Sequence, residues 1–301
     1  MSAPATSEAP TFDELIARIR ATFAELPFSH AELITHGEDN LVVALDRSWI
    51  VRFPRNAEYR ARFAAELNLL HRLRPLSPLA VPNYEKVAPD QSFGAYRRIA
   101  GREMTPTVFA AMVPHAQQVA LTSLSRFLLV LHGLPADTIT QPDGTIARTW
   151  SGEQFAALYR GMRRARIARV VPAALLARFD AFHDAFETLA PGPARLVHDD
   201  ISDDHILVDD SGRIAGIVDF SDASYGDAAI DFAFFWRLGE SSVDRVLGDY
   251  ALADAALKSR SHWTFVRYMI NQLSYGATAK WQQSVAQTLA ELEPHLTKLG
   301  F

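Results

Sequence analysis

The sequence predicts an α+β fold in which a small antiparallel sheet comes first and a larger, mostly helical part follows. Short apolar runs separated by turn residues dominate the first hundred positions, whereas apolar residues at helical spacing dominate the rest. The 301 residues are 49% hydrophobic and 22% charged, which is typical of a globular chain with an ample core. We expect a disordered tail over residues 1–10, a first unit over 11–101 and a second unit over 102–301.

Composition and charge disfavour several classes of protein. The chain has no cysteine, which excludes disulfides, thiolate zinc sites and cysteine nucleophiles and suits a reducing compartment. Its net charge of −5 disfavours a nucleic-acid partner. Residues 1–10 lack the basic and apolar blocks of a secretory signal, and no apolar run approaches the roughly 20 residues of a membrane span. We therefore expect a cytoplasmic protein that binds neither nucleic acid nor membrane.

The first unit is predicted to begin with a helix and to continue as a sheet of about five strands with one helix. From Phe12 to Leu26, apolar residues recur at three- and four-residue steps, which indicates one face of a helix. The strands are predicted at 31–34, 41–45, 49–54, 84–87 and 95–99, and the helix between the third and fourth strands is marked by Phe63, Leu67, Leu70 and Leu73 and ended by Pro75.

The second unit is predicted to be mostly helical, with one β-hairpin. Residues 206–208 and 214–218 flank a turn rich in Asp, Ser and Gly. Because the strands of a hairpin pair antiparallel, the loop at 198–205 is expected to face residues 219–221. The helices are predicted at 119–132, 153–167 and 173–189, and helical spacing returns beyond about residue 228.

Acidic residues concentrate around this hairpin. Ten aspartates and a single basic residue, Arg213, lie between Asp199 and Asp231, so this segment has a formal charge of −9. An acidic run is commonly a solvated surface. Here the acids flank apolar strands, where their mutual repulsion is tolerated mainly if they meet a cation or transfer a proton. The hairpin geometry suits a divalent metal that carries phosphates next to a carboxylate that accepts a proton.

Two motifs at this hairpin resemble the catalytic elements of kinases. His198-Asp199-Asp200, with His205 at the final position, resembles the catalytic loop, although that position is normally Asn. Asp219-Phe220-Ser221 is similar to the metal-binding motif that follows it. The wider string from Val197 to Phe232 resembles the aminoglycoside phosphotransferase family of small-molecule kinases. Asp204-His205 is similar to its aminoglycoside 2''-phosphotransferase and macrolide 2'-phosphotransferase branches.

The resemblance implies a bilobal protein-kinase-like fold with a nucleotide-binding lobe over residues 11–101 and a catalytic and substrate-binding lobe over 102–301. Asp200 would accept the proton of the substrate hydroxyl, and Asp219 would bind Mg²⁺. For His205 we leave open a direct metal contact, a contact through water, a hydrogen bond to Asp200, or a purely structural role. Asp231 would anchor the backbone of the catalytic loop.

The resemblance also implies the nucleotide site, for ATP or GTP. Arg52 stands at the position of the family's lysine on the third strand, and its planar fork can hold a phosphate and a carboxylate. Glu66 would be its partner, with a surface ion pair as the alternative. The remaining nucleotide-binding residues are predicted to be Gly37, Asp39 and Asn40, in a phosphate-covering loop or a plain hairpin turn, and Arg97 and Ile99, whose backbone would contact the purine.

The expected function is transfer of the γ-phosphate of ATP or GTP to a hydroxyl of a small, cationic molecule, with an aminoglycoside as the first expectation. A macrolide is an alternative acceptor, since Trp236, Tyr250, Trp263, Phe265, Tyr268, Tyr275 and Trp281 could line an apolar pocket if they are not core residues. An amino alcohol or sugar kinase and a catalytically silent nucleotide-binding module are further alternatives. The carboxylates expected to face ammonium groups are those of Asp199, Asp203, Asp222 and Glu240.

Overall fold

A computed structural model describes residues 10–34, 39–278 and 284–301 of the chain. The predicted tail lies outside these residues except for Pro10. The amino-terminal elements, in chain order, are α1 (Phe12–Thr22), β1 (Ala31–Ile34), β2 (Asn40–Leu45), β3 (Trp49–Pro54), α2 (Ala57–Leu73), β4 (Tyr84–Val87) and β5 (Gly94–Arg97).

Five of the described strands form one antiparallel sheet with the order β1-β2-β3-β5-β4. Alternation along β3 decides which side chains reach each face of this sheet. Val51 and Phe53 pack against α1 through residues such as Leu15, whereas Ile50 packs on the opposite face. Arg52 follows Ile50 by two positions, so the same alternation directs it away from α1 and toward the second part of the chain.

The rest of the chain is mostly helical. Its elements, in chain order, are β6 (Arg102–Glu103), α3 (Pro106–Ala110), α4 (Pro114–His132), α5 (Gly152–Leu158), α6 (Arg164–Ile167), α7 (Ala173–Glu187), β7 (Ala194–Val197), β8 (Ile206–Val208), β9 (Ile214–Ile217), β10 (Ser224–Asp227), α8 (Ala229–Phe232), α9 (Glu240–Gly248), α10 (Leu257–Gln272) and α11 (Val285–Lys298).

Two small antiparallel sheets carry the loops in which the acidic motifs lie. β8 pairs with β6 and with β9, and β7 pairs with β10. The amide of Val218 donates a 3.0 Å hydrogen bond to the carbonyl of His205, so the end of β9 lies beside the start of β8. The loop at 198–205 and residues 219–221 therefore meet, as the hairpin pairing predicts.

The predicted fold class is confirmed, because an antiparallel sheet precedes a helical remainder. The helix predicted at 153–167 differs from the structure, since a π-helical turn at Tyr159–Arg163 separates α5 from α6. Gly161 within this turn lowers helix propensity, and π turns are frequent at functional sites. The division of the chain between residues 101 and 102 stays a proposal. Among the described residues, no helix combines the length and apolar content needed to cross a membrane.

Candidate active site

Arg52 joins the amino-terminal sheet to the loop that follows β9. Its side chain is buried and donates 2.7 Å hydrogen bonds from Nη1 to Oε1 of Glu66 and from Nη2 to Oδ1 of Asp219. Burial raises the pKa of Glu66 to about 7, although the Arg52 charge opposes this shift. The predicted Arg52–Glu66 contact is thus present, as a buried pair rather than a surface ion pair.

Asp231 holds the backbone of the loop at 198–205. Its Oδ2 accepts hydrogen bonds from the amide of His198 at 2.8 Å and from Nε2 of His132 at 2.9 Å, and its Oδ1 accepts one from the amide of Asp199 at 2.9 Å. The Asp231 side chain is fully buried, and a buried carboxylate needs such donors. These contacts are the ones that the family resemblance implies for Asp231.

Replacing Asp231 with Asn is expected to lower the free energy of unfolding by about 1–3 kcal/mol, because an amide group cannot accept from all three buried donors. Chemical denaturation measures this change. Asp210, exposed in the β8–β9 turn, gives the matched control, and its Asn variant should differ from wild type by less than about 0.5 kcal/mol. Equal stabilities of Asp231→Asn and the control would contradict the anchoring role.

Two aspartates of the site have left-handed backbone conformations. Asp199 has φ 66° immediately before Asp200, and Asp219 has φ 65° shortly after β9. Asp tolerates this region better than most residues, and residues held in such sparsely populated conformations cluster at functional sites. The left-handed turns at Asp199 and Asp219 therefore lie in the two loops that meet beside the β8–β9 hairpin.

His205 lies between the carboxylates of Asp200 and Asp219. Its Nδ1 donates to the backbone carbonyl of Asp200 at 2.7 Å and lies 3.4 Å from the Asp200 carboxylate. Its Nε2 lies 3.7 Å from Oδ2 of both Asp204 and Asp219. Burial would lower the pKa of His205, but the charges of these three aspartates raise it to about 9. The predicted hydrogen bond between His205 and Asp200 is thus formed with the backbone of Asp200.

Asp219 keeps one carboxylate oxygen available for a cation. Its Oδ1 accepts from Arg52 and from the Ser221 hydroxyl, whereas Oδ2 accepts no hydrogen bond from the described residues. Burial would raise the pKa of Asp219, but the charges of Arg52 and His205 hold it below its ordinary value. No group of three or more His, Cys, Asp or Glu among the described residues is arranged to hold a metal. The oxygen chemistry of Asp219 Oδ2 suits Mg²⁺, a hard cation that usually binds through one or two carboxylates together with phosphate oxygens.

The residues predicted to contact the nucleotide lie toward opposite ends of the strands of the sheet. Gly37 lies outside the described residues. Asp39 and Asn40 stand at the start of β2, where Asn40 is buried. Arg97 is exposed, and its guanidinium carbon lies 3.9 Å from the centre of a tryptophan ring. The backbone amide of Ile99 donates no hydrogen bond within the described residues, which leaves it available to a purine edge.

A cavity of about 210 Å³ opens beside Asp200. Asp199 and Asp200 line it together with residues of α5, the π-helical turn, α8 and α10. Asp219 does not line the cavity. His205 contacts Asp219 with one nitrogen and Asp200 with the other, so it lies between the cavity and the Arg52–Asp219 pair. The geometry thus places Asp200 at a pocket and Asp219 at a separate ion-pair cluster with Arg52 and Glu66.

A model of the phosphotransferase enzyme family matches residues 30–296 of the chain. The chain belongs to this family. A relative from Bacillus subtilis (strain 168), the uncharacterized protein YcbJ, is 24% identical over 297 residues, which are 95% of this chain and 94% of that protein.

Solved structures have the same fold as this phosphotransferase. One is a point mutant of aminoglycoside 2'-phosphotransferase-IIIa in complex with GDP, with a TM-score of 0.77 and 20% identity over 95% of this chain and 98% of that one. Another is the apoenzyme of macrolide 2'-phosphotransferase from Brachybacterium faecium, with a TM-score of 0.63 and 24% identity over 93% and 98%. The fold is therefore bilobal and kinase-like, and the chain is a small-molecule kinase of the family that its motifs resemble.

The acids predicted to face a cationic acceptor already have partners in this phosphotransferase, beginning with Asp199 and Asp203. Asp199 lines the cavity, but its Oδ2 accepts a 2.6 Å hydrogen bond from the Ser224 hydroxyl. Burial raises the pKa of Asp199 well above its ordinary value, and the hydrogen bond from Ser224 opposes this shift. Asp203 does not line the cavity, and its Oδ2 lies 3.1 Å from Nη1 of Arg237.

Asp222 and Glu240 are also paired within the chain. Asp222 accepts a 2.7 Å hydrogen bond from Arg62, and neither residue lines the cavity. Glu240 is exposed at the start of α9, where it forms ion pairs of 3.0 Å with Lys258 and 2.5 Å with Lys298. The structure therefore does not bring Glu240 to the cavity; two lysines pair with it on the surface instead.

The aromatic residues predicted for a macrolide pocket separate into two groups. Phe265, Tyr268 and Tyr275 line the cavity. Trp236 and Tyr250 are core residues outside its walls. Trp263 packs on Phe182 with ring centroids 5.2 Å apart, and Trp281 lies outside the described residues. Three of the seven predicted aromatic residues therefore line the cavity.

Sequence reasoning missed the arginines that line the cavity. Arg267 lies in α10 beside the buried residues Val266 and Met269. A single cation within an apolar helical stripe was the signal that could have revealed it. Arg163 also lines the cavity, and its position depends on the π-helical turn, for which the sequence pattern carried no signal.

Proposed function

We propose that this phosphotransferase transfers the γ-phosphate of ATP or GTP to a hydroxyl group of a small molecule bound in the cavity beside Asp200. The observation that carries the proposal is the double contact of His205, which lies 3.4 Å from the Asp200 carboxylate and 3.7 Å from that of Asp219. A base at a pocket and a carboxylate that suits Mg²⁺ thus lie on two sides of one imidazole.

Asp200 is proposed to accept the proton of the acceptor hydroxyl and to orient its oxygen toward the γ-phosphorus. The bond from this oxygen to phosphorus forms while the bond from the γ-phosphorus to the leaving diphosphate breaks, and the hydroxyl proton goes to Asp200. Because the transition state of phosphoryl transfer is loose, positioning and charge neutralisation contribute more than base strength.

Arg52, Glu66 and Asp219 are proposed to form the phosphate side of the site. Mg²⁺, held by Asp219, would neutralise charge on the phosphate oxygens. The Glu66 carboxylate holds the Arg52 guanidinium in place, and Arg52 in turn fixes Oδ1 of Asp219. Oδ2 of Asp219, which accepts no hydrogen bond from the described residues, is the oxygen proposed to bind Mg²⁺. The backbone near Arg97 and Ile99 is proposed to contact the purine. Backbone contacts do not by themselves distinguish ATP from GTP, so both nucleotides are compared in the transfer assay.

Transfer is tested by mass spectrometry with ATP and GTP against aminoglycosides, macrolides, amino alcohols, sugars and hydroxy acids. We expect at least one acceptor to gain the mass of one phosphate, and we expect EDTA to abolish transfer and added Mg²⁺ to restore it. Intact nucleotide binding without transfer to any acceptor and without nucleotide hydrolysis would favour the catalytically silent module instead.

A further inference from the structure

The cavity beside Asp200 contains a buried arginine, Arg267, for which the described residues supply no counter-ion. Arg267 lines the cavity and is only 6% exposed. Its Nε is buried and has no hydrogen-bond partner among the described residues. Among the described residues, no carboxylate lies within 4.0 Å of its guanidinium nitrogens. An unpaired buried charge is costly, so a group that remains in this state within a cavity points to a ligand.

Other buried arginines of the described chain are fully paired. Arg52 binds the carboxylates of Glu66 and Asp219. Arg260 likewise binds two carboxylates, at 2.7 and 2.8 Å. Arg267 instead packs its guanidinium carbon 3.7 Å from the centre of the Phe155 ring. Stacking uses the flat face of a guanidinium and leaves its N–H edge free for a partner in the same plane.

Another arginine adds positive charge to the same cavity. Arg163 lines the cavity 5.8 Å from the ring of Tyr275 and, within the described part of the chain, forms no ion pair. Burial and the charge of Arg163 lower the pKa of Arg267 to about 10, so the two cations oppose each other. An anion between them would relieve both the repulsion and the desolvation of Arg267.

The neighbouring polar groups do not replace such an anion. Asp199 is the cavity carboxylate whose charge acts on Arg267, but it lies beyond ion-pair distance, and burial favours its neutral form. The buried Oε1 of Gln272, also in the cavity wall, accepts no hydrogen bond within the described residues. This oxygen would suit a hydroxyl or N–H donor on the same ligand.

We propose that Arg267 and Arg163 bind an oxyanion of the phosphoryl acceptor, so that the acceptor is a hydroxylated carboxylate or phosphate rather than a polycation. This inference rests on the proposed function, because the cavity is the acceptor site only if Asp200 is the base. The guanidinium edge of Arg267 matches the two oxygens of either group. The acceptor hydroxyl would then extend toward Asp200, which lines the same cavity.

Calorimetry on the wild-type chain with Mg²⁺ and a non-hydrolysable ATP analogue tests this binding mode. The probes are glycerate and malate as hydroxy acids, glycerol 3-phosphate and glucose 6-phosphate as hydroxylated phosphates, and kanamycin as a polycation. We expect binding of one oxyanion class and none of kanamycin. Arg267→Gln should weaken that binding at least ~10-fold, and Arg267→Lys should weaken it less because the charge is kept.

Two controls keep the test decisive. Arg245→Gln removes an exposed arginine outside the cavity and should leave oxyanion binding as in wild type. Thermal unfolding shows whether Arg267→Gln folds. Arg163→Gln tests the same site independently, and we expect it also to weaken oxyanion binding. The inference is overturned if no oxyanion binds, if neither arginine variant changes the affinity, or if kanamycin binds as tightly as the anions.

The outcome separates this inference from the proposed function. Transfer to a cationic acceptor that depends on Asp200 would leave the proposed function standing and overturn the oxyanion site. Oxyanion binding through Arg267 without any phosphoryl transfer would support the oxyanion site and contradict the proposed function.

Discussion

Replacing Asp200 with Asn is expected to lower kcat by ~10²- to 10⁴-fold while the affinity for nucleotide stays nearly unchanged. Asn has the same shape but cannot take up the hydroxyl proton, and Asp200 lies at the acceptor cavity rather than at the Arg52–Asp219 pair. The loss should therefore be confined to the transition state. Steady-state kinetics with an accepted substrate and calorimetry with nucleotide measure the two quantities.

The matched control for this variant is Asp210→Asn, the same chemical change at an exposed position of the β8–β9 turn. Its kcat should equal that of wild type. If Asp200→Asn also turned over at the wild-type rate, Asp200 would not be the base.

Asp219→Ala is expected to weaken Mg²⁺-dependent nucleotide binding by ~100-fold or more. The variant removes Oδ2, the oxygen that accepts no hydrogen bond from the described residues. A contact between a metal ion and a phosphate-bearing ligand is worth several kcal/mol, and each 1.4 kcal/mol corresponds to a factor of ten in affinity. Calorimetric titration of nucleotide with and without Mg²⁺ separates the metal-dependent part from the rest.

The variant is expected to fold, because Arg52 keeps its buried bond to Glu66 when Asp219 is removed. Asp210→Ala serves as the control for loss of a carboxylate near the hairpin, and its affinity should match that of wild type. Identical Mg²⁺ dependence in Asp219→Ala and wild type would exclude Asp219 as the metal-binding residue.

The meeting of the loops that carry Asp200 and Asp219 was predictable because a hairpin is a local structure. Only a short turn separates β8 from β9, and antiparallel pairing then brings together the residues that precede one strand and follow the other. The contact between Arg52 and Glu66 was predictable from the family resemblance, and strand alternation places Arg52 on the face away from α1.

The charge of the acceptor site was not predictable in the same way. Ten clustered aspartates suggested a binding site for a polycation, yet the partners of Asp203, Asp222 and Glu240 are arginines and lysines from distant positions. Arg267 is separated from Asp200 by more than sixty residues, so no spacing in the sequence relates them. Whether a carboxylate is free for a ligand depends on which cation folds against it.

The sequence by itself determined the order of sheet and helices, the strand that carries Arg52 and the hairpin that joins the two acidic motifs. These features follow from periodicity and from pairing between neighbouring segments, which are local properties of the chain. Only the tertiary structure decided which charges remain uncompensated at the acceptor cavity. Electrostatic compensation acts through space, and the residues that supply it come from helices far apart along the chain.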